Sequence, residues 1–187
     1  MNLSRVARVA TGTAIVASAL LSPQHESRAQ SDAPHQGKIA PLSSLPALDG
    51  DYVRLESKAD GRAFHMLARL PPSYDTNGDS TYPIVYGLDG DSQFPIIAPT
   101  HMFLNIDYDL PEAVIVGIAY GSFDPSINRR GYDFTVPSPE ANASQGGAPT
   151  FHSFLVDELI PLVERRYRVD PSRRVLFGQS RGGGMVL

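Results

Sequence analysis

Two uninterrupted apolar runs constrain the fold of this chain more than any other feature of its sequence. One run covers residues 83–88 and the other covers residues 113–119, and both are rich in β-branched side chains. Runs of this length without polar alternation are typical of strands covered on both faces, as in parallel sheets. Residues 93–106 between them predict a helix, which two internal prolines make irregular. The chain is therefore predicted to form an α/β sheet with crossover connections.

An antiparallel hairpin is predicted at the start of this sheet. Residues 52–57 and 63–70 alternate like strands on either side of Asp60-Gly61, and an Asp-Gly pair between alternating runs is a strong hairpin signal. Pro71-Pro72 ends the second strand because proline cannot donate to a sheet ladder. The hairpin is expected to lead into the parallel sheet.

The second half of the chain adds a loop, a helix and a last strand. Residues 121–149 are rich in Gly, Pro, Ser and Asn and predict a long loop. Thr150 is a candidate N-cap for a helix with an apolar stripe over residues 151–163, which Pro161 should kink. Residues 174–177 then predict the last strand.

This last strand leads directly into Gly178-Gln179-Ser180-Arg181-Gly182, which matches the pattern G-x-S-x-G. In that pattern a serine nucleophile projects from a sharp strand-to-helix turn with a strained backbone. Glycines flank the serine because a Cβ would collide with the neighbouring helix or strand. The pattern also occurs by chance in glycine-rich turns, but the apolar strand before it and the helix start after it favour a catalytic Ser180.

Ester hydrolysis at such a serine needs two backbone N–H donors for the developing oxyanion. The residue after the nucleophile, here Arg181, supplies one of them through its amide. The second should come from the loop after an earlier central strand, and residues 88–91 are the candidate loop. Gly90 would let this backbone turn inward without hindrance from a side chain.

The sequence resembles the Putative esterase family of α/β-hydrolases, which includes siderophore esterases, feruloyl esterases, S-formylglutathione hydrolases and mycolyltransferases. The resemblance implies an α/β-hydrolase fold, of which this chain holds the N-terminal portion. It also implies a serine carboxylic-ester hydrolase acting through an acyl-enzyme on siderophore-like or other small esters. Five blocks in the family's order carry the resemblance: residues 82–90, 113–118, 129–137, 154–161 and 173–183.

The resemblance also implies roles for individual residues. Ser180 would be the nucleophile, and the amides of Arg181 and of Gly90 or Asp91 would form the oxyanion hole. The Arg181 side chain departs from the aliphatic or aromatic residue common at this position. It would place a cation near an anionic substrate, or it would point to the surface.

Arg130 and Asp133 match an Arg-x-x-Asp pattern that recurs in the long loop of this family. They are interpreted either as an ion pair that braces the site or as two solvated residues.

A general base does not follow the nucleophile. The acid and the histidine of the triad come after the serine in this fold, and only seven residues follow Ser180. The domain over residues 51–187 is therefore expected to be incomplete, without its catalytic histidine and acid, and inactive as a fragment. The histidines that the chain does contain are better explained as surface or half-buried residues: His25, His35, His65, His101 and His152.

Two other classes of function stay open. One is an acyltransferase of the same fold, and the other is a non-catalytic or decayed binding protein. Ester hydrolysis and acyl transfer at a serine both require no metal and no organic cofactor.

Residues 1–29 predict a cleaved export signal, because two arginines precede an apolar run over residues 9–21 and a small-x-small site ends the segment. The run is shorter than the ~20 residues that span a bilayer, which disfavours a membrane anchor. We expect a bacterial protein that is exported to the periplasm or secreted.

Residues 30–50 predict a flexible linker, since they are rich in Ser, Pro and Ala and lack periodicity. The chain has a net charge of -4 and no basic cluster, so nucleic acid is a poor partner. The absence of cysteine excludes disulfides, thiolate metal sites and a lipid anchor. The expected partner is a small-molecule ester, with no membrane contact after signal cleavage. The sequence does not indicate an oligomeric state.

Overall fold

The computed structural model describes residues 46–140 and 144–187. The predicted export signal and residues 30–45 of the predicted linker lie outside this part of the chain. The strands are β1 (Asp51–Glu56), β2 (Ala63–Arg69), β3 (Tyr82–Gly87), β4 (Val114–Ala119) and β5 (Val169–Phe177). The α-helices are α1 (Gly90–Tyr108), α2 (Arg130–Asp133), α3 (Ala148–Ser153), α4 (Ile160–Arg166) and α5 (Arg181–Val186). A 3₁₀ turn covers Pro46–Leu48, and a π-helical segment covers Phe154–Leu159.

The five strands form one mixed sheet in the order β1-β2-β4-β3-β5. The predicted hairpin is confirmed: β1 and β2 pair antiparallel from Asp51 opposite Ala68 to Glu56 opposite Ala63. Gly61 in the connection has a φ of 70°, a conformation that glycine adopts without strain. β2 pairs antiparallel with β4, while β3 pairs parallel with both β4 and β5. Helices flank the sheet, as the α/β prediction requires.

The two apolar runs form neighbouring strands, and every residue of β4 is buried. Val114, Val116 and Ile118 join the larger core cluster on one face of the sheet. Ala113, just before β4, and Ile115 contact the α1 side chains on the other face. Because both faces are covered, the run contains no polar side chain.

The helix between these strands is longer than predicted. It begins at Gly90 and continues through Pro95 and Pro99 to Tyr108. Phe94 and Ala98, which lie four residues apart, are buried against the sheet. The earlier start matters for function, since it places the first turn of the helix directly after β3.

The predicted kink at Pro161 takes the form of a widened turn. The Ile160 N–H donates to the Leu155 carbonyl, which is a π-helical spacing. Proline donates no hydrogen bond and its ring conflicts with an α-helical carbonyl four residues back, and a π turn accommodates both effects. The predicted N-cap at Thr150 is wrong: the helix begins at Ala148 after Gly147, with proline in its first turn.

β5 lies at the edge of the sheet and is interrupted by an irregularity. Val169 pairs with Tyr82, but the next paired residue is Arg174, opposite Ile84. The intervening backbone turns where the Asp170 carboxylate accepts hydrogen bonds from the Ser172 N–H and hydroxyl, at 2.9 and 2.6 Å. Beyond this point the strand is exposed, including three large apolar side chains: Val175, Leu176 and Phe177.

Candidate active site

The carboxyl ends of β3 and β5 meet at one edge of the sheet. The Leu88 N–H donates to the Phe177 carbonyl over 2.9 Å, which extends the parallel pairing by one step. The predicted oxyanion loop, residues 88–91, therefore lies beside the predicted nucleophile turn, residues 178–182. Ligand sites of α/β sheets form at this edge.

Ser180 occupies the strained turn that the motif predicts. Its φ is 58° and its ψ is -119°, which is unusual for a residue with a side chain. Ser180 is exposed to solvent and lies between the end of β5 and the first residue of α5. A Cβ at Gly178 would overlap the backbone carbonyl of Gly182, so the steric reason for the glycines holds.

The oxyanion loop contains a second strained residue. Asp89 precedes α1 with a φ of 55°, and its carbonyl accepts the N–H groups of Ser92 and Gln93. A Cβ on Gly90 would lie 2.8 Å from the backbone nitrogen of Ile118. Only glycine therefore lets α1 start this close to β4.

The three predicted oxyanion donors lie at the starts of helices. Gly90 and Asp91 are the first two residues of α1, and Arg181 is the first residue of α5. The first N–H groups of a helix have no partner within the helix. The predicted donors are thus brought to the same edge of the sheet as Ser180.

The carboxylate of Asp91 has a structural role that the sequence did not indicate. It accepts the N–H groups of Tyr120 and Gly121 over 2.7 and 2.8 Å. These two residues follow β4 directly, so Asp91 ties the start of α1 to the loop after the neighbouring strand.

Neither interpretation of Arg130 and Asp133 holds, because each residue pairs with a different partner and Asp133 is buried. Arg130 donates through Nε and Nη2 to the two carboxylate oxygens of Asp89, over 2.7 and 2.9 Å. Asp133 is fully buried and accepts from Nη1 and Nη2 of Arg62, over 2.9 and 2.7 Å, and from the Tyr120 hydroxyl over 2.9 Å. The two residues are neighbours on the short α2, which directs their side chains to separate carboxylate–guanidinium pairs.

These pairs stabilise the charged forms of their arginines. The hydrogen bond to Asp89 raises the pKa of Arg130. Burial alone would lower the pKa of Arg62, but its hydrogen bonds to Asp133 and Asp60 raise it. Burial and the charge of Asp133 raise the pKa of the Tyr120 hydroxyl, which therefore remains a donor at neutral pH.

Ser180 lines a cavity of about 200 Å³. The other lining residues come from the oxyanion loop, the first turn of α1, the loop after β4, the start of α2 and the nucleophile turn: Asp89, Asp91, Ser92, Gln93, Phe123, Asn128, Arg130 and Gln179. A larger cavity of about 480 Å³ shares Phe123, Asn128 and Arg130 with it. The two cavities together form a cleft of a size usual for small ligands.

None of the histidines among residues 46–140 and 144–187 lines the Ser180 cavity. His65 pairs with the Tyr52 hydroxyl through Nδ1 over 2.6 Å, and His101 Nε2 lies 3.1 Å from the Pro111 carbonyl oxygen. His152 is exposed on α3. Among residues 46–140 and 144–187, no cluster of three or more metal-ligating side chains is present, and no helix has the length and apolarity needed to cross a bilayer.

Comparison with known proteins identifies the family. Residues 57–187 match the model of the family described as Putative esterase. The sheet topology, the strained serine and this match together define the class: the chain belongs to the Putative esterase family and has an α/β-hydrolase-like fold.

Proteins similar to this chain include a ferri-bacillibactin esterase and a siderophore hydrolase. The chain is 31% identical over 162 residues to ferri-bacillibactin esterase BesA from Bacillus subtilis strain 168, and the match covers 78% of the chain and 54% of BesA. An IroE-like serine hydrolase from Shewanella oneidensis is 30% identical, with a TM-score of 0.62 over 73% of this chain and 44% of its own. Siderophore hydrolase EstB from Aspergillus nidulans is 26% identical, with a TM-score of 0.63 over 72% and 50%. The chain thus spans about half the length of these relatives.

Proposed function

We propose that this chain carries the nucleophile and the oxyanion hole of a serine carboxylic-ester hydrolase. Ser180 attacks the ester carbonyl, and the alcohol leaves as an acyl-enzyme forms on Oγ. Water then releases the acid and restores the serine. The amide of Arg181 and that of Gly90 or Asp91 donate to the oxygen that becomes negative in each step.

One observation carries this proposal: Ser180 is strained and exposed in the cavity that also contains the oxyanion loop. A positive φ at a residue with a side chain costs about 1–3 kcal/mol and is found where it serves a function. No hydrogen bond from the Ser180 side chain caps α5. The hydroxyl is therefore not committed to its own helix, as a nucleophile requires.

The general base is proposed to be a histidine outside residues 46–140 and 144–187, since none of the described histidines lines the cavity. A serine hydroxyl without a base is a weak nucleophile at neutral pH. We therefore expect the 187-residue chain by itself to acylate slowly. The same observation favours the second candidate, a protein that binds esters in this cavity without turnover.

Siderophore-like or other small esters are the proposed substrates, supported by the similarity to ferri-bacillibactin esterase and to the siderophore hydrolases. The cleft has room for a substrate of that kind. We further propose that the protein works after export, in the periplasm or outside the cell, on the basis of residues 1–29. Cell fractionation with an antibody against the chain tests this location, and a purely cytoplasmic signal would contradict it.

Acylation by p-nitrophenyl acetate tests the nucleophile. We expect peptide mass spectrometry to find the acetyl group on Ser180, and added imidazole to increase this acetylation by supplying the missing base. Ser180→Ala should lose the signal. Ser92→Ala is the matched control, because Ser92 lines the same cavity from a relaxed helical backbone and should not be acetylated.

Two results would decide against the hydrolase. If the chain and Ser180→Ala released nitrophenol equally, with and without imidazole, Ser180 would not be the nucleophile. The second candidate, ester binding without turnover, would then be favoured. Acetylation of Ser92 as often as of Ser180 would show that the strained turn confers no reactivity.

A further inference from the structure

Two arginine side chains beside the cleft have no carboxylate partner. Arg129 and Arg181 form no ion pair with any residue of the described part of the chain, whereas Arg130 between the two cavities is paired with Asp89. Arg129 is half-buried and Arg181 is exposed. An unpaired guanidinium that is held near a cavity is a ready partner for an anion.

The position of Arg129 is fixed by an aromatic ring. Its guanidinium carbon lies 4.3 Å from the centre of the Tyr132 ring, and both residues line the larger cavity. Stacking of this kind limits the rotamers of the arginine. A bound anion would therefore cost less side-chain entropy here than at a free surface arginine.

The Arg181 side chain reaches over the loop that carries Arg129. Its Nη1 lies 2.8 Å from the point where a Cβ on Gly131 would stand. Gly131 lines the larger cavity, and its lack of a side chain leaves room for the guanidinium. The Arg181 side chain is exposed, and its guanidinium lies beside Gly131 at the rim of the larger cavity.

The charges of the two cavities differ. Within the described part of the chain, the larger cavity is lined by Arg129 and Arg130 and by no acidic residue. The smaller cavity contains Asp89 and Asp91, whose carboxylates already accept hydrogen bonds from Arg130 and from two backbone amides. A negative group is therefore attracted to the larger cavity, while the smaller one holds Ser180.

We propose that Arg129 and Arg181 are specificity-determining residues that select negatively charged esters over neutral ones. The charged part of the substrate lies in the larger cavity, and the ester carbonyl of the substrate lies beside Ser180. This placement rests on the proposed function. Phe123 and Tyr132 line the larger cavity and contact the uncharged body of that part.

Binding of benzoate and of benzamide tests this selectivity without requiring turnover. The two probes have nearly the same shape and differ in charge, and NMR titration of the full 187-residue chain measures both affinities. Since a hydrogen bond to a charged group is worth about tenfold or more in affinity, we expect benzoate to bind about tenfold more tightly. Arg129→Gln and Arg181→Gln should each lose part of this ratio, and the double variant should lose all of it.

Arg165→Gln is the matched control. Arg165 is exposed on α4, so this substitution removes the same charge away from the cleft. It should keep the full ratio. Equal affinities in the unaltered chain, no benzoate binding, or a ratio that survives in the double variant would overturn the proposal, as would an equal loss in Arg165→Gln. The ratio of benzoate to benzamide affinity should be unchanged in Ser180→Ala. If the chain hydrolysed no ester but kept this ratio, only the proposed function would be refuted.

Discussion

Replacing Asp133 with asparagine should destabilise the chain more than any surface charge change. Asp133 is fully buried and accepts three hydrogen bonds of 2.7–2.9 Å, two from Arg62 and one from Tyr120. Removing one partner of a buried ion pair costs about 3–5 kcal/mol. Arg62 keeps 21% of its side chain exposed and retains Asp60 as a partner. Water and Asp60 therefore offset part of the loss, and we expect about 2–3 kcal/mol.

Urea unfolding followed by far-UV circular dichroism measures this loss. The slope of the transition should not change, because the asparagine is isosteric and the buried surface stays the same. With a slope of about 2 kcal/mol per molar urea, the midpoint for Asp133→Asn should fall by about 1–1.5 M.

Glu164→Gln provides the matched comparison for this experiment. Glu164 pairs with Arg174 at 2.5 Å, but the side chains are 19% and 43% exposed. An ion pair this accessible contributes less than about 1 kcal/mol. If Asp133→Asn lowered the midpoint no more than Glu164→Gln does, the network around α2 would have no special role in stability.

Three other changes have defined outcomes. Gly90→Ala should lower the unfolding free energy by about 1–3 kcal/mol and reduce Ser180 acetylation, because the new Cβ would meet the Ile118 backbone, which cannot move aside; an unchanged Tm would contradict this. Ser180→Gly should be more stable than Ser180→Ala by about 1 kcal/mol, since glycine adopts the positive φ without strain, and equal midpoints in urea would contradict the strain. Burial lowers the pKa of His65 below its ordinary 6.5, so the stability from the neutral ring is complete above that pH and is lost as the pH falls through the folded-state pKa. Between about pH 7.5 and about pH 5, the Tm of the unaltered chain should therefore fall more than the Tm of His65→Gln. His101, whose pKa is also lowered, is present in both chains and so does not affect the difference. Parallel plots of Tm against pH for the two chains would contradict this prediction.

Most of the sheet could be predicted because its signals are local. Asp60-Gly61 specifies the hairpin through its own backbone preference, and the two apolar runs reflect burial on both faces. The sequence pattern predicts the start of α1 three residues late, because the helix is stabilised by the packing of Phe94 and Ala98 against the sheet. Tertiary contacts of this kind leave little trace in local sequence.

The site was predictable to the extent that its groups act through the backbone. The turn at Ser180 and the loop at Gly90 follow from glycine spacing, and the structure brings both to one edge of the sheet. The pairing of Arg130 could not be predicted, since its partner Asp89 lies 41 residues away in the chain. The family's Arg-x-x-Asp pattern offered Asp133 as one possible partner, but residues three apart on one helical turn need not pair when longer-range partners fit better.

Asp89 couples the two strained turns of the site. Asp89 and Ser180 follow neighbouring strands, and each has a positive φ that would relax if it were not held. The Asp89 carboxylate is fixed by two hydrogen bonds from Arg130, and its Oδ2 would lie 3.2 Å from a Cβ on Gly182. The same carboxylate therefore anchors the oxyanion loop and packs against the nucleophile turn. A shift of α2 would be transmitted to both turns through this one side chain, so the geometry of the candidate site depends on a loop that contributes neither the nucleophile nor an oxyanion donor.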